Sequence, residues 1–108
     1  MTQYWGSKQA DQSILYYSMH PGWCDTPGVQ HSLPSFRSRL QGNLRSLSEG
    51  ADTIVWAALT TELVPNGSFL QDRKAVPTSL FLSDWTRSSD EQVATFMNKL
   101  EEIKHRFE

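Results

Sequence analysis

Two apolar runs, 13–19 and 67–71, with a helix between them marked at both ends, constrain this chain more than any other feature. Ser13 to Met19 is rich in large apolar and aromatic residues without strict alternation, the pattern of a strand covered on both faces. Ser46 followed three positions later by Glu49 is a capping-box pattern, which opens a helix over 46–63. Within it Ala51, Ile54, Val55, Ala58 and Leu59 recur at helical spacing, with Trp56 and Ala57 widening the face expected to be buried. Pro65-Asn66-Gly67 stops that segment, and 67–71 resumes as a short strand. Strand, crossover helix and strand form a βαβ unit whose two strands run parallel. Parallel strands normally sit in larger sheets with helices on both faces. The expectation is therefore an α/β chain forming the edge of a larger sheet, a single partial domain over 1–108.

The remaining segments fit around that unit. Residues 1–9 read as the end of a helix, without a capping residue at its start. Residues 20–45 read as a long loop in which Leu33, Phe36, Leu40 and Leu44 mark a short amphipathic helical stretch, interrupted by Gly42-Asn43. Asp72-Arg73-Lys74 is expected to leave the sheet, and Val76 to Asp84 to be loop anchored by Leu80, Phe81 and Leu82. Ser89 with Gln92 is a second capping box and opens a terminal helix over 89–107, with Val93, Phe96, Met97, Leu100 and Phe107 on one face.

Charge and cysteine content narrow the function classes. A formal net charge of −2 over 108 residues, with no basic block, argues against nucleic-acid binding. A single cysteine, Cys24, supports neither a disulfide framework nor a multi-thiolate zinc site, and fits a reducing, intracellular and cytoplasmic setting. No apolar run approaches the ~20 residues of a membrane helix, so no membrane association is expected.

The chemistry-bearing residues concentrate in Met19 to Val29, a loop with two Pro-Gly pairs that leaves the first strand. In open α/β sheets ligands bind at the carboxyl ends of the strands, where such a loop lies. Trp23 within it can pack on a flat ligand ring. His20, Cys24, Asp25 and His31 invite a metal or thiol-nucleophile reading, but one loop broken by prolines is a poor scaffold for three or four ligands. Their expected role is structural, and no metal is expected. Tyr4 and Lys8 have a Tyr-x-x-x-Lys spacing that places phenol and ammonium on one helical face. No Gly-x-Gly-x-x-Gly or other phosphate-cradling glycine loop occurs.

The Pro-Gly-x-x-x-Thr loop (Pro21, Gly22, Thr26), the helix from Glu49-Gly50-Ala51-Asp52-Thr53 and the closing Asn66-Gly67-x-Phe69 strand together resemble the short-chain dehydrogenases/reductases. The resemblance implies the C-terminal part of a Rossmann-type doubly wound parallel sheet, in an oxidoreductase using NAD or NADP on a small carbonyl or alcohol substrate. It assigns Pro21, Gly22, Cys24 and Thr26 to the cofactor: Pro21 and Gly22 shape the turn, the Cys24 backbone meets the nicotinamide carboxamide, and the Thr26 hydroxyl bonds to the cofactor. It assigns Trp23, Leu33 and Phe36 to the substrate side. The family's glycine-rich loop and its catalytic serine, tyrosine and lysine lie upstream of the matched region. Lys8 precedes Pro21 too closely for the full helix the family places between them, so Tyr4 and Lys8 receive no catalytic role. The chain alone is expected to be catalytically silent. The alternative is a non-catalytic truncated isoform acting as an interaction module, self-associating through an exposed sheet edge.

Overall fold

The computed structural model describes residues 1–8, 13–79 and 87–107. The expected anchors Leu80, Phe81 and Leu82 lie outside them. The elements run α1 (Thr2–Lys8), β1 (Ser18–Met19), α2 (Pro27–Ser32), α3 (Pro34–Arg39), α4 (Leu47–Leu59), β2 (Phe69–Gln71), β3 (Lys74–Val76) and α5 (Asp90–Lys104). The three strands form one small mixed sheet in the order β1-β2-β3. β1 and β2 are parallel, with Ser18 opposite Phe69 and Met19 opposite Leu70. A strand, a long crossover carrying α4 and a parallel return strand are thus present, and β1 is an edge of the sheet.

The pairing of β1 extends backwards through side-chain chemistry. Asn66 Oδ1 accepts from the Tyr16 N–H (2.7 Å), its Nδ2 donates to the Ile14 carbonyl (3.2 Å), and the Gly67 N–H donates to the Tyr16 carbonyl (2.9 Å). An asparagine side chain here substitutes for ladder bonds, which is why the regular strand is shorter than the apolar run at 13–19.

Three expectations are corrected. The chain does not leave the sheet at 72–74. Asp72 and Arg73 form a two-residue hairpin loop with φ of 49° and 59°, and β3 returns antiparallel to β2, with Gln71 opposite Lys74. Positive φ at both central residues matches the right-handed twist of a hairpin, though neither residue is glycine. Side-chain clamps hold it: the Arg73 N–H donates to Thr53 Oγ1 (3.3 Å), the Arg73 guanidinium pairs with Asp52, and Arg45 Nη1 meets Asp72 Oδ1 (2.6 Å).

The 20–45 loop is more helical than its glycines suggest. Thr26 caps α2, its Oγ1 accepting from the Val29 N–H (3.1 Å), and Pro27 occupies the first helical turn. The break before α3 falls at Leu33, not at Gly42-Asn43. Pro34 disfavours the helical region for its predecessor, and Leu33 takes φ −133°, ψ 52°.

The third correction concerns α4. Ser46 and Glu49 form the capping box, but the helix ends at Leu59 and turns its apolar stripe outward. Its buried residues are Gly50 and Thr53, whereas Ala51, Ile54, Val55, Ala58 and Leu59 are exposed and Trp56 is half-buried. The hairpin and the loop after β1 need small or hydrogen-bonding neighbours, and those contacts orient the helix. Among the described residues the buried apolar side chains are Leu70 of β2 and Met97 of α5, 1% and 2% exposed. On α5, Val93 and Leu100 are half-buried, while Phe96 is exposed and Phe107 lies beyond the helix in solvent.

At the other end, α1 rests on the turn before β2. A Cβ added at Gly6 would lie 2.6 Å from the Gly67 backbone, and the Trp5 and Tyr16 rings stand 5.8 Å apart beside it. Replacing Gly6 with Ala should therefore push α1 off the sheet and cost about 1–3 kcal/mol, the range for overpacking. A urea denaturation midpoint unchanged in G6A would contradict this packing.

Candidate functional site

The loop that leaves β1 is tied down within six residues. The His20 N–H donates to the Leu70 carbonyl (3.0 Å), continuing the parallel ladder one residue past β1. Pro21 and Gly22 then turn the chain, Gly22 with φ 78° and its N–H donating to His20 Nδ1 (2.9 Å). That bond leaves the proton of the neutral His20 ring on Nε2. Next comes a parallel bridge between Cys24 and Arg45: the Arg45 N–H donates to the Trp23 carbonyl (2.8 Å) and the Asp25 N–H to the Arg45 carbonyl (2.9 Å). Because bonding direction alternates along an extended strand, the Cys24 N–H faces away from Arg45.

Side chains fasten the same loop. The Arg45 side chain lies over Gly22, where a Cβ would collide with it, and reaches on to Asp72. The Cys24 thiol sits against Gly50 of α4 and donates to the Pro21 carbonyl (3.4 Å). Any larger residue at position 50 would meet the sulfur. Arg37 of α3 holds Asp25 in a two-bond clamp, Nε to Oδ1 at 2.7 Å and Nη2 to Oδ2 at 2.8 Å, and Gln30 Nε2 adds a contact at 3.3 Å. The Arg37 bonds hold the Asp25 carboxyl below its ordinary value of 3.8, with help from Gln30.

The expected site residues separate into three groups. Pro21, Gly22, Cys24 and Thr26 form one continuous stretch at the carboxyl end of a parallel strand. Trp23, 61% exposed, packs its ring 5.0 Å from that of half-buried Phe36 and edge-on to His20 at 6.4 Å. Leu33 is half exposed at the break between α2 and α3, in the same excursion as Phe36. Thr26 spends an oxygen lone pair on Val29, so its hydroxyl hydrogen remains available to a ligand.

His20, Cys24, Asp25 and His31 each have a separate local partner, and no metal-binding group of three occurs among the described residues. Tyr4 and Lys8 lie elsewhere. The Lys8 ammonium is 5.8 Å from the Tyr4 ring centre, on an open cavity of about 1160 Å³ that α1 shares with Gly67, Phe69 and Val76. Sequence reasoning missed Arg45 and Gly50, the two residues that pin the loop. Nothing in the residues around Arg45 marks its pairing, and a glycine inside a capped helix is the one usable signal of close backbone approach.

The turn at the carboxyl end of β1, the crossover helix α4 and the parallel return strand β2 are where the sequence resemblance places its Pro-Gly-x-x-x-Thr loop, its helix and its closing strand, and comparison with known proteins points to the short-chain dehydrogenases/reductases. The chain is 44% identical to dehydrogenase/reductase SDR family member 12 of Bos taurus over 109 aligned residues, 99% of its length. It is 44% identical to the Homo sapiens protein of the same name over 94 residues, 85% of the chain. A third relative, the "putative daunorubicin C-13 ketoreductase DnrU" of Streptomyces sp. (strain C5), is 37% identical over 67 residues, 61% of the chain and 23% of the relative. The chain spans about a third of the length of the first two, 33% and 29%. No family model matches the chain, and no solved structure gives a significant match. No helix among the described residues is long and apolar enough to cross a membrane.

The Asp25 clamp has a defined pH signature. A carboxylate held below its ordinary value stabilises the fold above that value, and the stabilisation is lost as pH falls through the folded-state pKa. The carboxyl ¹³C resonance of Asp25 should therefore titrate with a midpoint below 3.8, and Arg37→Leu should move that midpoint up toward 3.8. A wild-type midpoint at or above 3.8 would rule the clamp out.

Proposed function

We propose that this chain is the nicotinamide-facing C-terminal part of an NAD- or NADP-dependent short-chain oxidoreductase, and that alone it binds without turning over. In this reading β1 and β2 are the last parallel strands of a doubly wound sheet, in an enzyme of a reducing intracellular compartment acting on a small carbonyl or alcohol. The observation that carries it is the pinned stretch Pro21 to Thr26, which starts where the β1 ladder ends and keeps two donors free of internal partners' demands: the Cys24 N–H, turned away from Arg45, and the Thr26 hydroxyl hydrogen.

The residues present fit one end of such a cofactor. A nicotinamide carboxamide needs donors and acceptors at fixed positions beside a flat ring, and a loop held by the Arg45 bridge supplies them without rearranging. When bound, the dinucleotide supplies hydride chemistry. The chain's own residues orient and enclose: the Cys24 backbone would meet the carboxamide, the Thr26 hydroxyl would bond to the cofactor, Pro21 and Gly22 set the turn, and Trp23, Phe36 and Leu33 cover the substrate side and exclude water. No phosphate-cradling glycine motif occurs in the sequence, and among the described residues Tyr4 and Lys8 line a different cavity from this loop. Silence toward substrate follows from that distribution.

The test is an NMR titration of the ¹⁵N-labelled chain with NADPH, followed by a turnover assay with a panel of aldehydes and ketones. Amide shifts should cluster at 22–26. Thr26→Ser should keep them, and Thr26→Asp, which still caps α2 but cannot donate, should lose them. No panel member should accelerate NADPH oxidation above buffer. Shifts confined to other segments, or turnover by the chain alone, would contradict the proposal.

A further inference from the structure

The open cavity between α1, the β2–β3 hairpin and α5 shares no residue with the loop after β1. Its floor is apolar and half-buried: Tyr4 from α1, Phe69 from β2, Val76 from β3 and Val93 from α5. Its rim carries two exposed cations, Lys8 at the end of α1 and Arg87 ahead of α5. Segments far apart in the sequence thus border one space of about 1160 Å³, enough to admit a small molecule with an apolar body.

We propose that this cavity binds a carboxylate with an apolar tail, the tail along the floor and the carboxylate at Lys8 and Arg87. The state of the two cations carries the inference. Arg37, Arg45 and Arg73 each hold an aspartate. Lys8 and Arg87 have no ion-pair partner among the described residues, although both border the same cavity. The Lys8 ammonium stands 5.8 Å from the Tyr4 ring centre, a cation–π contact that keeps it beside the cavity wall and leaves its N–H donors available to an anion. Arg87 adds a planar guanidinium, whose donors match the two oxygens of a carboxylate.

Charge and surface together select the class of ligand. Asp90, in the first turn of α5, also borders the cavity, so its described lining sets two cations against one carboxylate in a chain whose net charge is −2. One negative charge on the ligand is matched by that lining. The second charge of a phosphate ester would be repelled by Asp90. The floor selects in turn against the smallest anions, which would leave Phe69, Val76 and Val93 uncovered. A tail lying on them removes apolar surface from water on both partners. No residue of this site serves the proposed cofactor loop, and the inference stands independently of that reading.

Titration of the ¹⁵N-labelled chain with octanoate below its micelle concentration, followed by amide NMR, tests this. Shifts should saturate and fall at 4–8, 67–69, 76–79 and 87–94, the segments that border the cavity. Acetate should produce none at the same concentrations. Octyltrimethylammonium, with the same tail and the opposite charge, should bind about tenfold more weakly, and octyl phosphate no more tightly than octanoate. Lys8→Met and Arg87→Met keep an apolar stem and remove the charge. Each should weaken octanoate binding about threefold, as expected for exposed ion pairs, with an unchanged far-ultraviolet circular dichroism spectrum. Asp90→Asn should tighten it. Octanoate shifts confined to other segments, saturation by acetate, equal binding of octyltrimethylammonium, tighter binding of octyl phosphate, or an affinity unmoved in both K8M and R87M would each overturn the proposal.

Discussion

The candidate site depends on one backbone pairing, the bridge between Cys24 and Arg45. It closes an excursion that leaves after Cys24, builds α2 and α3, and returns just ahead of α4. Closing a flexible loop of that length costs about 3 kcal/mol in chain entropy, more than two backbone hydrogen bonds at about 1 kcal/mol each would offset. The remainder comes from what the bridge brings together. Arg45 lays its side chain over Gly22 and holds Asp72, Cys24 docks on Gly50, and Asp25 receives Arg37. Removing any of these would leave the others in place but less constrained, because they share one short segment.

The same pairing explains the orientation of α4. A helix whose apolar residues are all on one stripe would be expected to turn that stripe to the sheet. Here the sheet side is set by contacts that only small or hydroxyl-bearing residues make, Gly50 under the Cys24 thiol and Thr53 under the Arg73 N–H. The hairpin adds its own requirement, since Asp72 and Arg73 keep positive φ while reaching in opposite directions, to Arg45 and to Asp52. Specific polar and close contacts thus outweigh generic amphipathicity, and the apolar stripe is left exposed.

Local signals in the sequence were the legible ones. Both capping boxes, at Ser46 and Ser89, form as their residue pairs require, and the parallel pairing of β1 with β2 follows from strand, helix and strand in that order. What the sequence hides is long-range. Nothing near Asp72 announces a hairpin, because its clamps come from Arg45 and α4, 27 and about 20 positions away. Thr26-Pro27 carries a cap signature that competes with its reading as a turn, and the structure follows the cap. In the site, the stretch Pro21 to Thr26 was visible from its prolines and glycines, while Arg45 was not, since its role is defined by a partner strand rather than by its neighbours.

Similarity to dehydrogenase/reductase SDR family member 12 runs over 99% of the chain but only a third of that relative, and within that share the loop after β1 is the most densely fastened segment. The central question is whether the loop is held in the free chain. Amide hydrogen exchange of the free chain measures this directly. The amides of Asp25 and Arg45 should be protected to the same degree as those of Ser18 and His20 in the ladder of β1, because all four donate to backbone carbonyls. Exchange at Asp25 and Arg45 at the rate of an unstructured chain, with Ser18 and His20 still protected, would contradict it.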